Sequence, residues 1–108
     1  MGRRLGITTL TILAYLAHRR AYGLDIVDGT GLLPGTVYTT LRRLEKKGFV
    51  EGTWEDPAVA ERERRPRRRY YTLLADGAEA LRSAKTELSG VFSLERMRDD
   101  GGAGRREA

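Results

Sequence analysis

Residues Gly35–Phe49 read GTVYTTLRRLEKKGF, and Val37, Leu41 and Leu44 fall in them at i, i+4 and i+7, the spacing of one helix face. At about 100° per residue, Thr39, Arg42, Arg43 and Lys46 project to the opposite side, joined one turn earlier by Gly35 and Thr36, with Tyr38 on the flank. Threonine costs about 0.5 kcal/mol of helix propensity relative to alanine, so propensity does not explain this polar face. It suits a helix entering a DNA major groove. Small Gly35 and Thr36 permit close approach, and threonine can bond a base edge or meet a thymine methyl. Arg42 or Arg43 can bond guanine bidentately or hold phosphate, and the Tyr38 hydroxyl can position the helix on the backbone. By itself the helix equally fits a solvated amphipathic surface.

The flanking segments add information. Pro34 suits a first helical turn and Gly48 a C-cap, giving a helix over 35–47. In FVEGTWE (49–55), Val50, Gly52 and Trp54 alternate with polar residues, as in a half-exposed strand, and RYYTL (69–73) alternates likewise. Between them DPAVAERERRPRR is polar and carries two prolines, which predicts a long flexible hairpin loop. Arg62, Arg64, Arg65, Arg67, Arg68 and Arg69 crowd into its end, and arginine suits both phosphates and narrow minor grooves. A solubilising loop or a proteolytic site is the plain alternative.

Upstream, Leu10, Leu13, Ala14 and Ala17 keep helical spacing, predicting a first helix from about Thr8 to Arg20 with a break at Gly23. The basic start and apolar run imitate a signal peptide. Thr8, Thr9 and Thr11 interrupt the run, no A-x-A site follows, and it is too short to span a bilayer. YGLDIVDGTG holds a short second helix closed by Gly29 and Gly31. From about Ala75, Ala78, Leu81, Ala84, Leu88 and Val91 return to helical spacing, and the charged, Gly-rich end predicts a disordered tail. The order helix, helix, helix, strand, loop, strand, helix is a mainly α winged helix-turn-helix with an added C-terminal helix. It divides into a DNA-binding unit (1–73), a dimerisation helix (74–98) and a tail (99–108).

The chain has 108 residues and a net charge of +5. Residues 1–55 hold eight Lys/Arg against five Asp/Glu, 56–73 six against three, and 74–108 six against seven. A basic front and a neutral back suit a polyanion on one side and another partner behind. With no cysteine, disulfides, thiolate metal sites and thiol nucleophiles are excluded, and a cytoplasmic location is expected. His18 has no partner at ligand spacing, so no metal is expected. No nucleophile–base set or phosphate loop is present, so no enzymatic activity and no cofactor are expected.

YGLDI (22–26), GTVYTTLRRLEKKGFV (35–50), Trp54 and RPRRRYYTL (65–73) together resemble the PadR family of bacterial transcriptional regulators, across about residues 8–95. The resemblance implies a homodimeric winged-helix repressor on double-stranded DNA, with Gly35–Lys47 as recognition helix, Thr36, Tyr38 and Arg42 or Arg43 facing DNA, and a wing around Arg62–Arg69. The short C-terminal region resembles the compact branch with one final helix. Two features depart from the family pattern. Leu73-Leu74-Ala75-Asp76-Gly77 stands where L-T-P-x-G is common, leaving Asp76 as the substitute cap. The single tryptophan, Trp54, is on a strand, so a planar-drug sandwich with a tryptophan on the last helix is not expected.

Leu81 to Leu88 and Ala84 to Val91 are heptad steps, and Gly90 weakens that seam by about 1 kcal/mol. The expected dimer therefore uses the last helix (Leu81, Ala84, Leu88, Val91, Phe92) and the first (Leu10, Leu13). Tyr15, Leu16, Leu88 and Phe92 are candidates to line a small-molecule effector cavity, or else pack plainly. The competing function is a winged-helix module whose basic wing binds an acidic protein.

Overall fold

The computed structural model describes residues 5–103. Helix α1 (Ile7–Leu16) buries Ile12, Leu13 and Leu16, then strand β1 (Ala21–Tyr22) leads directly into helix α2 (Gly23–Thr30). Helix α1 thus stops short of the expected Arg20. Ala21 is fully buried opposite Tyr71, and the extended pairing that buries it takes Ala17–Arg20 out of the helix. Gly23 opens α2 rather than separating two helices. A Cβ there would overlap the Tyr38 ring, so the ring rests directly on the Gly23 backbone.

Gly31 ends α2 at φ 76°, a conformation that favours glycine. Helix α3 (Pro34–Lys46) follows, with proline in its first turn. It closes as a Schellman motif: Phe49 N–H reaches Leu44 O at 3.0 Å and Gly48 N–H reaches Glu45 O at 3.1 Å, with Gly48 at φ 79°. Val37, Leu41 and Leu44 are essentially inaccessible, each fully buried aliphatic contributing about 1.5–3 kcal/mol. They meet Ile12, Leu13, Leu16, Ile26, Val50, Tyr71 and Leu81 in one core.

Strand β2 (Val50–Trp54) pairs antiparallel with β3 (Arg69–Leu73), and β3 takes β1 on its other side, so the sheet order is β1-β3-β2. The connection between β2 and β3 is not the flexible loop expected. It contains helix α4 (Pro57–Arg62), capped by Asp56 through Ala58 N–H at 2.9 Å and holding Ala60 at 4% exposure. An Asx cap followed by proline in the first turn supplies the nucleus a six-residue helix lacks.

Helix α5 (Ala75–Ala103) starts with Asp76 already inside its first turn, so Asp76 serves the helix dipole instead of capping from outside. It packs on α1 through Leu81, while Leu88, Val91, Leu94 and Met97 are exposed. The helix continues through 99–103, where a disordered tail was expected; glycine costs a helix only about 1 kcal/mol per residue. The rest of that tail, 104–108, lies outside the described residues.

Candidate nucleic-acid interface

Helix α3 presents one face to solvent because its opposite face is the core. Gly35, Thr39, Arg42, Arg43 and Lys46 are exposed and Thr36 is half-buried. Among the described residues, Arg42, Arg43 and Lys46 enter no ion pair. No side chain caps the start of α3, so the helix end that favours anions lies beside Gly35 and Thr36. Thr40 behaves differently from its neighbours: it is buried at 5% exposure and lines, with Thr8, Thr9, Thr36, Thr39 and Arg43, a shallow groove between α1 and α3. Tyr38 is 40% exposed and rests on Gly23, so its hydroxyl is carried at the edge of the face.

The six wing arginines divide by what holds them. Arg62 and Arg64 are exposed, beyond the wing's ion pairs. Arg64 adopts φ 54°, the conformation of a helix C′ residue where glycine is usual. Arg65 N–H reaches Ala60 O at 3.1 Å across it, so α4 ends in a Schellman-type turn with an arginine at the strained position. Arg67 donates from Nε to Glu55 O at 3.0 Å and lies over Trp54 at 5.5 Å, yet remains exposed.

The other three are half-buried, with their guanidinium groups engaged. Arg65 forms a bidentate pair with Glu55, both contacts at 2.8 Å. Arg68 stacks on Tyr22 at 4.0 Å and donates to the Tyr70 hydroxyl at 3.4 Å. Arg69 crosses Gly52, where a Cβ would displace it, and pairs with Glu45 of α3 at 2.6 Å. That pair fastens the returning strand to α3. Arg20 over Tyr70 at 4.0 Å and the edge-to-face Tyr22–Tyr70 contact extend the same stack across the sheet.

Sequence reasoning did not identify Glu55, Glu45 or the arginine–aromatic stacks. Glu55 adjoins Asp56-Pro57, and that D-P pair was the available signal that the segment is folded. Glu55 is held down at about 2, chiefly by the Arg65 hydrogen bonds against the opposing effect of burial, with the Arg68 N–H adding to them.

The expected dimer residues also separate. Leu13 and Leu81 are buried in the chain's own core at 0% and 6% exposure, and Leu81 also borders the groove between α1 and α5. Leu10, Ala84 and Leu88 line an apolar groove of about 230 Å³ with Ile7 and Ala14. Val91 is exposed, and the Phe92 side chain lies outside the described residues. Tyr15 rests on Gly29 and Leu16 is in the core, so these two are engaged in packing. Among the described residues no helix is long and apolar enough to cross a membrane.

Residues 12–83 match the family model described as the transcriptional regulator PadR-like family. A PadR family transcription regulator from Clostridium difficile superposes with TM-score 0.74 at 24% identity, covering 85% of this chain and 97% of its own. A PadR-like transcription factor from Bacteroides fragilis gives TM-score 0.74 at 22% identity, over 85% of this chain and 89% of its own. The adhesin competence repressor of Streptococcus pyogenes gives 0.65 at 16% identity, over 91% and 68%. No curated protein matches the chain in sequence.

Proposed function

The chain belongs to the PadR-like family of transcriptional regulators, and from that premise we propose that it binds a pseudo-palindromic DNA operator as a homodimer and represses transcription there. The observation that carries this reading is the outer face of α3: short Gly35, Thr36 and Thr39 at an uncapped helix start, then Arg42, Arg43 and Lys46 without acidic partners among the described residues. A solvated helix of a stable domain gains from i,i+4 charge pairing; this one leaves its cations uncompensated, which suits a polyanion.

In this reading α3 enters the major groove, Arg42 or Arg43 reads a base, and Tyr38 with the remaining cations meets phosphate. Arg62, Arg64 and Arg67 form the outward edge of the wing and reach the neighbouring minor groove or its phosphates. The second copy supplies the other half-site, about one helical turn or roughly 34 Å away. The support for a dimer is the apolar surface of α5. Leu88, Val91, Leu94 and Met97 recur every third residue and are 45–67% exposed. At about 100° per residue such a row winds around the helix, so cover comes from more than one partner helix, the partner's α1 groove included.

Salt titration of binding to a genomic fragment tests this. Each phosphate neutralised adds about 0.9 to the slope of log K against log salt. A steep slope together with a footprint resistant to random competitor DNA is expected. A footprint unchanged by Arg42→Ala and Arg43→Ala contradicts the assignment of α3. Binding to acidic proteins with no DNA footprint favours the protein-interaction reading.

A further inference from the structure

A wing that approaches phosphate has reason to exclude carboxylates, yet one sits at its base and is buried. Glu55 has a side chain only 8% exposed, beside an Arg65 side chain at 19%. Removing both from water is costly, and such a pair persists only where the geometry is good and the remaining valences are satisfied. Here they are. Arg65 donates from both terminal nitrogens to Glu55 at 2.8 Å, from Nη1 also to Pro66 O at 3.1 Å, and from Nε to Glu63 at 2.9 Å. Four of its five N–H donors are thereby occupied within the wing.

The Glu55 carboxylate also accepts the Arg68 backbone N–H at 3.1 Å, while Glu55 N–H donates to Arg68 O at 2.8 Å and Glu55 O accepts from Arg67 Nε. One residue thus joins the end of β2, the chain leaving α4 and the start of β3. From Arg69 the connection continues to Glu45 on α3. Resting on the DNA-binding reading above, we infer that Glu55 and Arg65 are a clamp that sets where the wing lies relative to α3, and that Arg65 is a positioning residue rather than a phosphate contact. The clamp holds Arg62, Arg64 and Arg67 outward as a rigid edge, so their ordering is complete before DNA arrives.

The sign of one substitution separates this from simple electrostatics. Glu55→Gln removes a negative charge from a DNA-facing wing and frees Arg65. If Arg65 serves phosphate, affinity rises or holds; if it clamps, affinity falls. Titrations of the full chain against its genomic fragment at several salt concentrations decide it, using Glu55→Gln, Arg65→Lys and Arg65→Gln. The clamp predicts at least a tenfold loss for all three with the native salt slope. A phosphate contact predicts that Arg65→Lys keeps most affinity and that Arg65→Gln lowers the slope by about 0.9; that result overturns the clamp.

A readout independent of DNA keeps the two levels distinct. At a temperature well below the melting transition of each protein, trypsin should cut Glu55→Gln and Arg65→Lys at Arg62 and Arg64 faster than the native chain. Unchanged cleavage overturns the clamp, whichever variant folds. Native protein that protects no DNA contradicts the regulatory reading, and the cleavage rates still decide the clamp.

Discussion

Arg64 shows most plainly at the residue scale how this chain departs from conformational economy. A left-handed conformation costs a non-glycine residue about 1–2 kcal/mol, and Arg64 occupies one at φ 54° where glycine is usual. Its replacement by glycine should leave the melting temperature unchanged or raise stability by up to about 1 kcal/mol, while DNA affinity falls and the salt slope drops by about 0.9. Parallel melting and binding curves check this. Glu55 gives a pH signature. Its carboxyl is held at about 2 instead of the ordinary 4.5, with Arg65 as the main cause. Because the folded value is depressed, its contribution is present in full above about pH 4.5 and lost as pH falls toward 2. Melts of the native chain and Glu55→Gln should differ by a constant amount above pH 5, and the difference should close on acidification. A gap that instead widens below pH 4 contradicts the pairing. Three threonines on one helix also prove not to be one feature: Thr36 and Thr39 belong to the outer face, and Thr40 is buried against α1.

Elements with a strong period were legible in the sequence, and elements specified by partners were not. Helix α3 announced itself through Val37, Leu41 and Leu44, with Pro34 and Gly48 as its stops, and its outer face follows from the same projection. Strands β2 and β3 showed a two-residue alternation. Strand β1 has only Ala21 and Tyr22; two residues carry no period, and it exists because Tyr71 and Tyr70 stand opposite. Helix α4 has six residues and was masked by charge, its folding set by a local cap and by Glu55 bonding residues ten and thirteen positions away. The wing arginines were visible as a cluster, but their division into three engaged and three outward depends on Glu45, Glu55, Tyr22 and Trp54, which the local sequence does not connect. The entry to α5 also rests on a distant contact. A Cβ at Gly77 would overlap the Phe49 carbonyl, so Gly77→Ala must displace backbone and should cost about 1–3 kcal/mol, measurable by chemical denaturation. A neutral Gly77→Ala would contradict the close packing of α5 on the β2 entry.

For the whole molecule, the fold splits its labour between a basic front and an apolar back. At the front, Arg69–Glu45 joins the wing to α3, and Arg65–Glu55 ties the wing to itself. The back is α5, which extends past its last buried anchor, Leu81, with Leu88, Val91, Leu94 and Met97 open to solvent. The extents of 65 × 34 × 22 Å reflect that projection. Apolar area of this kind is the usual mark of an interface. Leu88→Glu or Val91→Glu should therefore yield a folded monomer in sedimentation and weaken operator binding at least tenfold, since each half-site then binds alone. A variant that stays dimeric at micromolar concentration contradicts the use of this face. The most direct measurement is nuclease footprinting of the native chain on DNA it enriches from its own genome, with excess random DNA present. Two protected half-sites related by a two-fold axis, about one helical turn apart and lost in an Arg42→Ala, Arg43→Ala double variant, are the predicted result. No protection, or protection that random DNA removes as readily as the fragment itself, would contradict the account.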